Sequence, residues 1–241
     1  MSELLDGLNK EQLEAVIHTE GPLMVIAGAG TGKTTVITRR IAWLIQDQGV
    51  DPESILALTF TDKAASEMEE RIDTLLPIGY VDISISTFHA FCDRLLKTYG
   101  AHIGLSRSTI TLTQTELTLL VRRNFELLPL NYYRPKGNPM RFLPDLISHF
   151  SRLKDELITP EKYLLFANQL PSSTEEEQAE KERILELAHA YNAYQDLLQS
   201  NDVMDFGDLL LYVYELLTKR PAIKQKIQHT YQYILVDEFQ D

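Results

Sequence analysis

The chain has 241 residues, of which 44% are hydrophobic and 24% charged, an ordinary composition for a globular protein with a sizeable core. Its formal net charge of −12 at pH 7 argues against a broad basic surface, so any contact with nucleic acid must come from a local patch or groove. Cys92 is the only cysteine, which excludes an intramolecular disulfide and a Cys-based zinc cluster. The N-terminus lacks the apolar stretch of a signal peptide, and no apolar run has membrane-spanning length, so we expect a cytoplasmic protein without a membrane partner.

Four short apolar segments are predicted to form β-strands, because each is bounded by turn or helix signals. They cover residues 23–27, 55–60, 81–86 and 233–236. The third alternates apolar and polar residues, so one of its faces is expected to be in contact with water. The fourth is almost continuously apolar, as expected for a central parallel strand that is covered on both faces.

Helical periodicity occurs between these strands. One helix is predicted to begin near Lys33 and to end near Gly49, where a glycine suits the C-terminal cap. A second helix is predicted between the second and third strands. The buried stripes are Val36, Ile37, Ile41, Leu44 and Ile45 in the first helix, and Ala64, Ala65, Met68, Ile72 and Leu75 in the second. Strand–helix alternation of this kind predicts βαβ units and a mostly parallel sheet with right-handed crossovers.

From about residue 105 the pattern predicts helices only. Thr113 and Glu116 form a capping box at the start of one helix, and the proline-rich stretch 129–144 is predicted to be an irregular connection. A long helix is predicted to begin at the acidic residues 175–177. Its apolar seam, attributed to packing, comprises Ile184, Leu187, Tyr191, Tyr194 and Leu198. The predicted fold class is therefore α/β, a parallel sheet interrupted by an all-helical insertion.

Residues 27–34 have the sequence AGAGTGKT and connect a predicted strand to a predicted helix, the context that a phosphate-binding P-loop requires. Its glycines let backbone N–H groups turn toward phosphates, and the N-terminus of the helix adds a partial positive charge. Lys33 is predicted to reach the β- and γ-phosphates, and the Thr34 hydroxyl to ligate Mg²⁺. Ala27 departs from the usual pattern, which begins with glycine.

The last five residues, DEFQD at 237–241, directly follow the fourth predicted strand. Asp237 is predicted to hold the magnesium ion that it shares with Thr34, and Glu238 to polarise the attacking water. An acidic C-terminus by itself would more often be a solvated tail. Its combination with a P-loop favours a site of nucleoside triphosphate hydrolysis.

Several segments, in order and spacing, resemble the superfamily 1 DNA helicases of the UvrD/Rep/PcrA type. Residues 27–34 resemble helicase motif I, in which alanine is the norm at the position of Ala27, and residues 237–241 match the DExQD box, motif II. Four further segments resemble family motifs: LNKEQ at 8–12 (the Q motif), TFTDKAA at 59–65 (motif Ia), STFHA at 86–90, and DFGDLL at 205–210. The resemblance covers essentially the whole chain and is weakest in the insertion.

This resemblance implies a RecA-like P-loop NTPase sheet, subdomain 1A, over residues 1–105 and 201–241, interrupted by a helical subdomain 1B over residues 106–200. It also implies ATP and Mg²⁺ as cofactors, and movement in the 3′ to 5′ direction on single-stranded DNA in repair, replication or recombination. A second RecA-like domain, absent from these 241 residues, is expected in the full-length protein.

The resemblance also implies which residues form the nucleotide site. Gln12 contacts the adenine. The nucleotide-binding loop comprises Ala27, Gly28, Ala29, Gly30, Thr31, Gly32, Lys33, Thr34 and Thr35. Thr35 stands where the family often has arginine. Catalytic roles fall to Lys33, Glu238 and Gln240, and magnesium ligation to Thr34 and Asp237.

Two segments are predicted to bind single-stranded DNA, and single/double-strand junctions are expected partners. Both lie at the carboxyl ends of predicted strands, the edge at which open α/β sheets bind ligands. Phe60 and Phe88 are suited to stacking on unpaired bases, although either aromatic taken alone would more often be a core residue. The side chains predicted to contact phosphates are Thr59, Thr61, Lys63, Ser86, Thr87 and His89. In the family, asparagine is common at the position of Asp62.

Three hypotheses about function remain open from the sequence. The first is the N-terminal ATP-binding part of a UvrD-like helicase. The second is the motor portion of a helicase–nuclease of the RecB/AddA kind, whose motifs are very similar. The third is a P-loop nucleotide switch that does not move along DNA.

Overall fold

The computed structural model describes residues 3–19, 21–76 and 82–240. The α-helices are α1 (Lys10–Ile17), α2 (Lys33–Gln46), α3 (Asp62–Leu75), α4 (Phe88–Tyr99), α5 (Gln114–Arg123), α6 (Leu143–Asp155), α7 (Pro160–Gln169), α8 (Glu175–Ser200), α9 (Phe206–Lys219) and α10 (Pro221–Thr230). The strands are β1 (Ile55–Thr59), β2 (Ser84–Thr87), β3 (Ile110–Thr111), β4 (Val203–Met204) and β5 (Tyr233–Val236). Short 3₁₀ turns at Glu3–Leu5, Pro52–Ser54, Gly100–Ile103 and Phe125–Leu127 complete the elements.

Two compact units make up the chain. The first consists of Met1–Phe91 and Pro221–Asp241, and the second of Cys92–Arg220. The second unit is therefore wider than the predicted insertion at 106–200, because it takes in most of α4 and all of α9. The assignment of these stretches to the subdomains 1A and 1B stays a prediction.

The first unit contains a parallel three-stranded sheet in the order β2-β1-β5. All five residues of β1 are buried, which makes β1 the central strand. The α/β architecture with parallel strands is thus confirmed, but the prediction that residues 233–236 form the central strand is wrong. β5 pairs with β1 on one side only, and Ile234 is exposed. Strand β2 begins at Ser84, and Val81 lies outside the described residues.

The predicted strand at residues 23–27 is not a strand in the structure. The exposed fractions of Met24 and Ile26 are 74% and 88%, and the backbone of this stretch pairs with none of the described strands. An apolar stretch becomes a strand only where a neighbour supplies ladder hydrogen bonds. Both edges of β1 are occupied by β2 and β5, and residues 23–27 form no ladder with the outer edge of either of these strands.

Helices α2 and α3 pack around the sheet as their periodicity predicts. Ile41, Met68 and Ile72 are almost completely buried in one apolar core with the β1 residues Ile55 and Ala57. Helix α2 ends at Gln46, and Gly49 then adopts a left-handed backbone (φ 65°), close to the predicted helix end. Burial of each large apolar side chain stabilises the unit by roughly 1.5–3 kcal/mol relative to leaving it exposed.

The second unit is built mainly from helices around an aromatic core. Tyr191 and Tyr194 of α8 are buried against Phe150 of α6, with the Phe150 and Tyr191 rings stacked at a centroid distance of 5.1 Å. The seam of α8 is therefore packing, as predicted. The prediction of a purely helical insertion is wrong in one respect, because β3 pairs in parallel with β4. These strands have two residues each, too short for a periodic signal in the sequence.

A buried charge cluster lies in the second unit, and its members are Lys154, Asp205 and Asp208. The Lys154 ammonium lies 2.7 Å from a carboxylate oxygen of each aspartate. Tyr194 donates to Asp205 at 2.6 Å, and Gln195 donates to Asp208 at 2.9 Å. Asp205 and Asp208 also form the capping box of α9, which explains locally why the DFGDLL segment begins a helix.

The two aspartates of this cluster differ in pKa. Burial alone would raise the pKa of Asp205, but the Lys154 charge and the hydrogen bonds from Lys154 and Tyr194 outweigh it, and the pKa is lowered. Burial and the charge of Asp205 together raise the pKa of Asp208, against the opposing effect of Lys154. The lysine is therefore the counter-charge on which both buried carboxyl groups depend.

Within residues 3–19, 21–76 and 82–240, no helix combines the length and the apolar character that crossing a membrane requires.

Candidate functional site

The loop at residues 27–32 leads directly into α2, which begins at Lys33. Gly30 and Gly32 have left-handed backbones with φ of 74° and 88°, and Gly32 is the N-cap of α2. No side chain caps the N–H groups of the first turn. These groups are therefore available to an anion, and the helix dipole favours a negative charge there. A Cβ atom on Gly32 would lie 3.0 Å from Gln12 Nε2, a second reason for glycine at this position.

Lys33 folds back over this loop. Its ammonium group donates to the carbonyl oxygens of Ala27 and Gly28 at 3.3 and 3.4 Å. These are long, weak contacts to neutral acceptors, and a phosphate oxygen would be a stronger partner for the same charge. The side chain thus lies beside the loop that is predicted to hold phosphates, and in the described part of the chain its acceptors are these two backbone carbonyls.

The Thr34 hydroxyl donates to Asp237 Oδ2 at 3.2 Å, a contact between residues 203 positions apart in the chain. Asp237 is buried at the end of β5, and its N–H donates to the Leu58 carbonyl of β1 at 2.9 Å, which fixes its position. The sheet therefore brings together the two residues that were predicted to share a magnesium ion.

Both side chains are hard oxygen ligands of the kind that Mg²⁺ prefers. Neighbouring ligands in an octahedral site with bonds of about 2.0–2.1 Å lie about 2.9 Å apart. The 3.2 Å separation between Thr34 Oγ1 and Asp237 Oδ2 is close to this value, so the pair fits the ion. The described residues contain no group of three or more His, Cys, Asp or Glu side chains that could hold a metal by themselves. Phosphate oxygens and water would have to complete the coordination.

Glu238 follows Asp237 in a left-handed backbone conformation (φ 51°), which is uncommon for a residue other than glycine. Its N–H donates to Asp237 Oδ1 at 3.0 Å, and its carboxylate accepts from Gln240 Nε2 at 2.5 Å. Gln240 thus holds the side chain that was predicted to polarise water. Asp241 lies outside the described residues.

Gln12 lies in the first turn of α1 and touches the phosphate loop. Its amide Nε2 donates to the Thr31 carbonyl at 3.0 Å, and its Oε1 accepts from the N-cap residue Asn9 at 3.0 Å. The Thr31 hydroxyl in turn donates to the Gly28 carbonyl at 2.7 Å. Ala29 and Thr35 are exposed beside this network. The predicted adenine contact and the predicted phosphate loop are therefore neighbours in space.

Three residues that the motif analysis did not single out support this site. The buried hydroxyl of Thr38 donates to the carbonyls of Thr34 and Thr35 at 3.0 and 3.1 Å, and so braces the first turns of α2. Arg39 and Arg40 donate from α2 to backbone carbonyls of the N-terminal segment. The only sequence signal for the arginines is a pair of adjacent charges between the apolar residues Ile37 and Ile41 of the predicted stripe.

The two predicted DNA segments lie side by side, because Thr59 at the end of β1 pairs with Thr87 at the end of β2. Helices α3 and α4 begin just after these strands. Thr61 caps α3 by accepting from the Ala64 N–H at 3.1 Å, and Thr87 accepts from the Ala90 N–H at 3.2 Å in the first turn of α4. Two helix N-termini are thus close to the same edge of the sheet.

The predicted DNA contacts divide into an exposed group and a buried group. Phe60, with an exposed fraction of 56%, lies at the surface with Thr61 and Lys63. Phe88 and His89 are half-buried. Three predicted phosphate contacts are buried, namely Thr59, Ser86 and Thr87. The Thr59 hydroxyl has no hydrogen-bond partner in the described part of the chain. Whether any of these residues binds DNA stays a prediction.

Comparisons with known proteins agree with this arrangement. Residues 8–241 match the model of the UvrD/REP helicase N-terminal domain. The chain is 39% identical, over 99% of its length, to the "ATP-dependent DNA helicase PcrA" of Leuconostoc citreum, and 37% identical, over its whole length, to that of Staphylococcus aureus strain Mu50. It is also 37% identical, over its whole length, to the "Probable DNA helicase II homolog" of Mycoplasma capricolum. The chain spans 30%, 30% and 31% of these three relatives, respectively. Since the family model matches nearly all of it, the chain belongs to the UvrD/REP helicase family and contains that family's N-terminal domain.

Proposed function

We propose that this chain is the ATP-binding N-terminal part of a DNA helicase that couples ATP hydrolysis to 3′ to 5′ movement on single-stranded DNA. The observation that carries the proposal is the Thr34–Asp237 contact, which joins the phosphate loop to the acidic motif across 203 residues. The parallel β2-β1-β5 sheet around this contact is consistent with a RecA-like P-loop NTPase. The helicase names of the relatives favour this function over a helicase–nuclease motor and over a nucleotide switch.

Under this proposal each residue of the site has a defined chemical role. Thr34 and Asp237 hold Mg²⁺, which when bound neutralises charge on the β- and γ-phosphate oxygens. Lys33 exchanges its contacts with the Ala27 and Gly28 carbonyls for the phosphates. Glu238 accepts the proton of the attacking water, while Gln240 holds its carboxylate in place.

The same edge of the sheet offers a way for an acidic protein to bind DNA. The N-termini of α3 and α4 place partial positive charges and N–H groups beside Phe60 without a field of lysines and arginines. Phosphate contacts of this kind do not depend on base sequence, and neither does stacking on an aromatic ring. We therefore propose that single-stranded DNA crosses this edge near Phe60 and Lys63.

The 241-residue chain alone is expected to bind ATP weakly and to hydrolyse it barely, even with oligo-dT present. We expect a second domain to supply an arginine finger, a residue that is worth about 10³–10⁵ in rate where GTPases use one. Phosphate release by the chain and by the full-length protein, measured side by side, checks this expectation. Turnover by the chain at the rate of the full-length protein would show that no second domain is needed.

Phe60→Ala in the full-length protein is expected to weaken binding to oligo-dT by roughly 1–3 kcal/mol, the value of one base–aromatic stack. It should also uncouple ATP hydrolysis from movement, because the base no longer stacks on an aromatic ring. Fluorescence titration measures the first effect. Phe166→Ala is the matched control, since Phe166 has an exposed fraction of 52% but lies in α7 of the second unit. If Phe60→Ala binds like the unaltered protein, the stacking role is wrong.

Lys63→Ala tests a phosphate contact by salt dependence. Loss of one contact should lower the slope of log K against log salt concentration by about 0.7, the single-strand value. Lys10→Ala is the control, because Lys10 and Lys63 are both exposed and each lies near a glutamate four residues later on its helix. An equal change of slope in both variants would mean that the effect is not local to this edge.

A further inference from the structure

Arg40 of α2 is half-buried and directs its guanidinium at the C-terminal end of α1. Its Nη1 donates to the carbonyl oxygens of Ala15, Val16 and His18 at 3.1, 3.0 and 2.5 Å. Burial lowers the pKa of Arg40, with Tyr233 opposing the shift, so a desolvation cost accompanies this placement. The carbonyls at a helix C-terminus carry the partial negative charge that offsets such a cost.

Helix α1 is therefore attached at both ends. Gln12, in its first turn, donates to the Thr31 carbonyl of the phosphate loop at 3.0 Å. Arg40 holds its last turn, where Val16 is also completely buried. Because α2 begins at Lys33, the same helix carries the phosphate-binding residues and the arginine that anchors α1. Gln12 and Arg40 thus hold opposite ends of the same helix against the segment that carries the phosphate loop and α2.

We propose that Arg40 is a positioning residue for the recognition of adenine: it anchors α1 so that Gln12 stays beside the phosphate loop at the distance that an adenine nucleotide requires. The inference rests on the proposed function, in which Gln12 contacts the base. It assigns to Arg40 an effect on the choice between nucleotides, which a role in stability alone would not produce.

Arg39 provides a matched control on the same helix. Its Nη1 donates to the carbonyls of Leu4 and Asp6 at 2.7 and 2.6 Å, and both residues precede α1 in the chain. Arg39→Gln and Arg40→Gln therefore remove the same charge and the same type of contact. Only the second substitution releases the helix that carries Gln12.

The test measures the ratio of dissociation constants for GTP and ATP, each with Mg²⁺, by displacement of a fluorescent methylanthraniloyl-ADP from the full-length protein. We expect Arg40→Gln to lower this ratio by about tenfold, toward the ratio of Gln12→Ala, and Arg39→Gln to leave it unchanged. In the Gln12→Ala background, Arg40→Gln should change the ratio no further, because Arg40 acts through Gln12. Arg40→Lys, which keeps the charge without the planar fork, should lower the ratio less.

An unchanged ratio in folded Arg40→Gln, beside a lowered ratio in Gln12→Ala, overturns the inference and leaves the proposed function intact. If Arg39→Gln and Arg40→Gln lower the ratio of the GTP and ATP dissociation constants equally, the inference is also overturned, because the effect is then general to the N-terminal segment. If Arg40→Gln does not fold, as judged by circular dichroism, Arg40→Lys decides in its place, and an unchanged ratio there overturns the inference. If Gln12→Ala keeps the preference for ATP, the role of Gln12 in the proposed function fails, and the inference fails with it.

Discussion

Glu238→Gln in the full-length protein should lower the rate of ATP hydrolysis by about 10²–10⁴-fold, the usual contribution of a general base, while ATP stays bound. Glutamine keeps the shape of the side chain but has no carboxylate to accept the proton of the attacking water. Asp237 and Thr34, which lie 3.2 Å apart and are proposed to hold Mg²⁺, are untouched by the change. Single-turnover hydrolysis and equilibrium binding of MgATP, measured on the same preparation, separate the two effects.

Lys33→Ala is the contrasting variant. Its ammonium group lies over the phosphate loop, 3.3 Å from the Ala27 carbonyl, and is proposed to move onto the phosphates. Removing it should weaken ATP binding and abolish ATP-driven movement. If Glu238→Gln and Lys33→Ala lose ATP affinity equally, the division between a phosphate-binding lysine and a water-polarising carboxylate is wrong.

Lys154→Met is expected to lower the free energy of unfolding by about 3–5 kcal/mol, the cost of breaking a buried ion pair by removing one partner. The substitution leaves the carboxyl groups of Asp205 and Asp208 buried without a counter-charge. Urea unfolding followed by circular dichroism measures the loss, and Lys162→Met, at an exposed lysine of α7, is the control.

The loss of unfolding free energy caused by Lys154→Met should depend on pH. In the unaltered protein the pKa of Asp205 is lowered, so its contribution to stability is present above the ordinary pKa of aspartate and is lost as the pH falls through its folded-state pKa. In Lys154→Met both aspartate pKa values should rise, so the folded variant is favoured by protonation and becomes less stable as the pH rises. The difference between the two proteins should therefore narrow as the pH falls from 7 toward about 3.9. A difference that is independent of pH would show that the lysine stabilises the unit by packing alone.

Local features of the fold could be predicted because their causes are local. The capping box at Thr113, the glycine turns of the phosphate loop and the apolar seam of α8 each depend on residues a few positions apart. The ends of β1 and β2 were predicted to within one residue, since the predicted strands stop at residues 60 and 86 and the observed ones at Thr59 and Thr87. The candidate nucleotide site was predictable for a related reason, because its motifs are short and keep their order and spacing.

The sequence by itself therefore determined the family and the parallel α/β architecture, and it predicted which residues form the phosphate loop and the acidic motif. Only the tertiary structure decided what depends on neighbours distant in the chain. Residues 23–27 are apolar enough for a strand, yet they pair with no strand of the described sheet, although β5 keeps one unpaired edge there. Thr59 and Phe60 are adjacent in one motif, but one is fully buried and the other exposed, because Thr59 is the last residue of the buried strand β1 and Phe60 lies beyond its end. The ion pairs of Lys154 and the anchor formed by Arg40 were equally invisible, since a charged side chain does not indicate its partner until folding brings the two together.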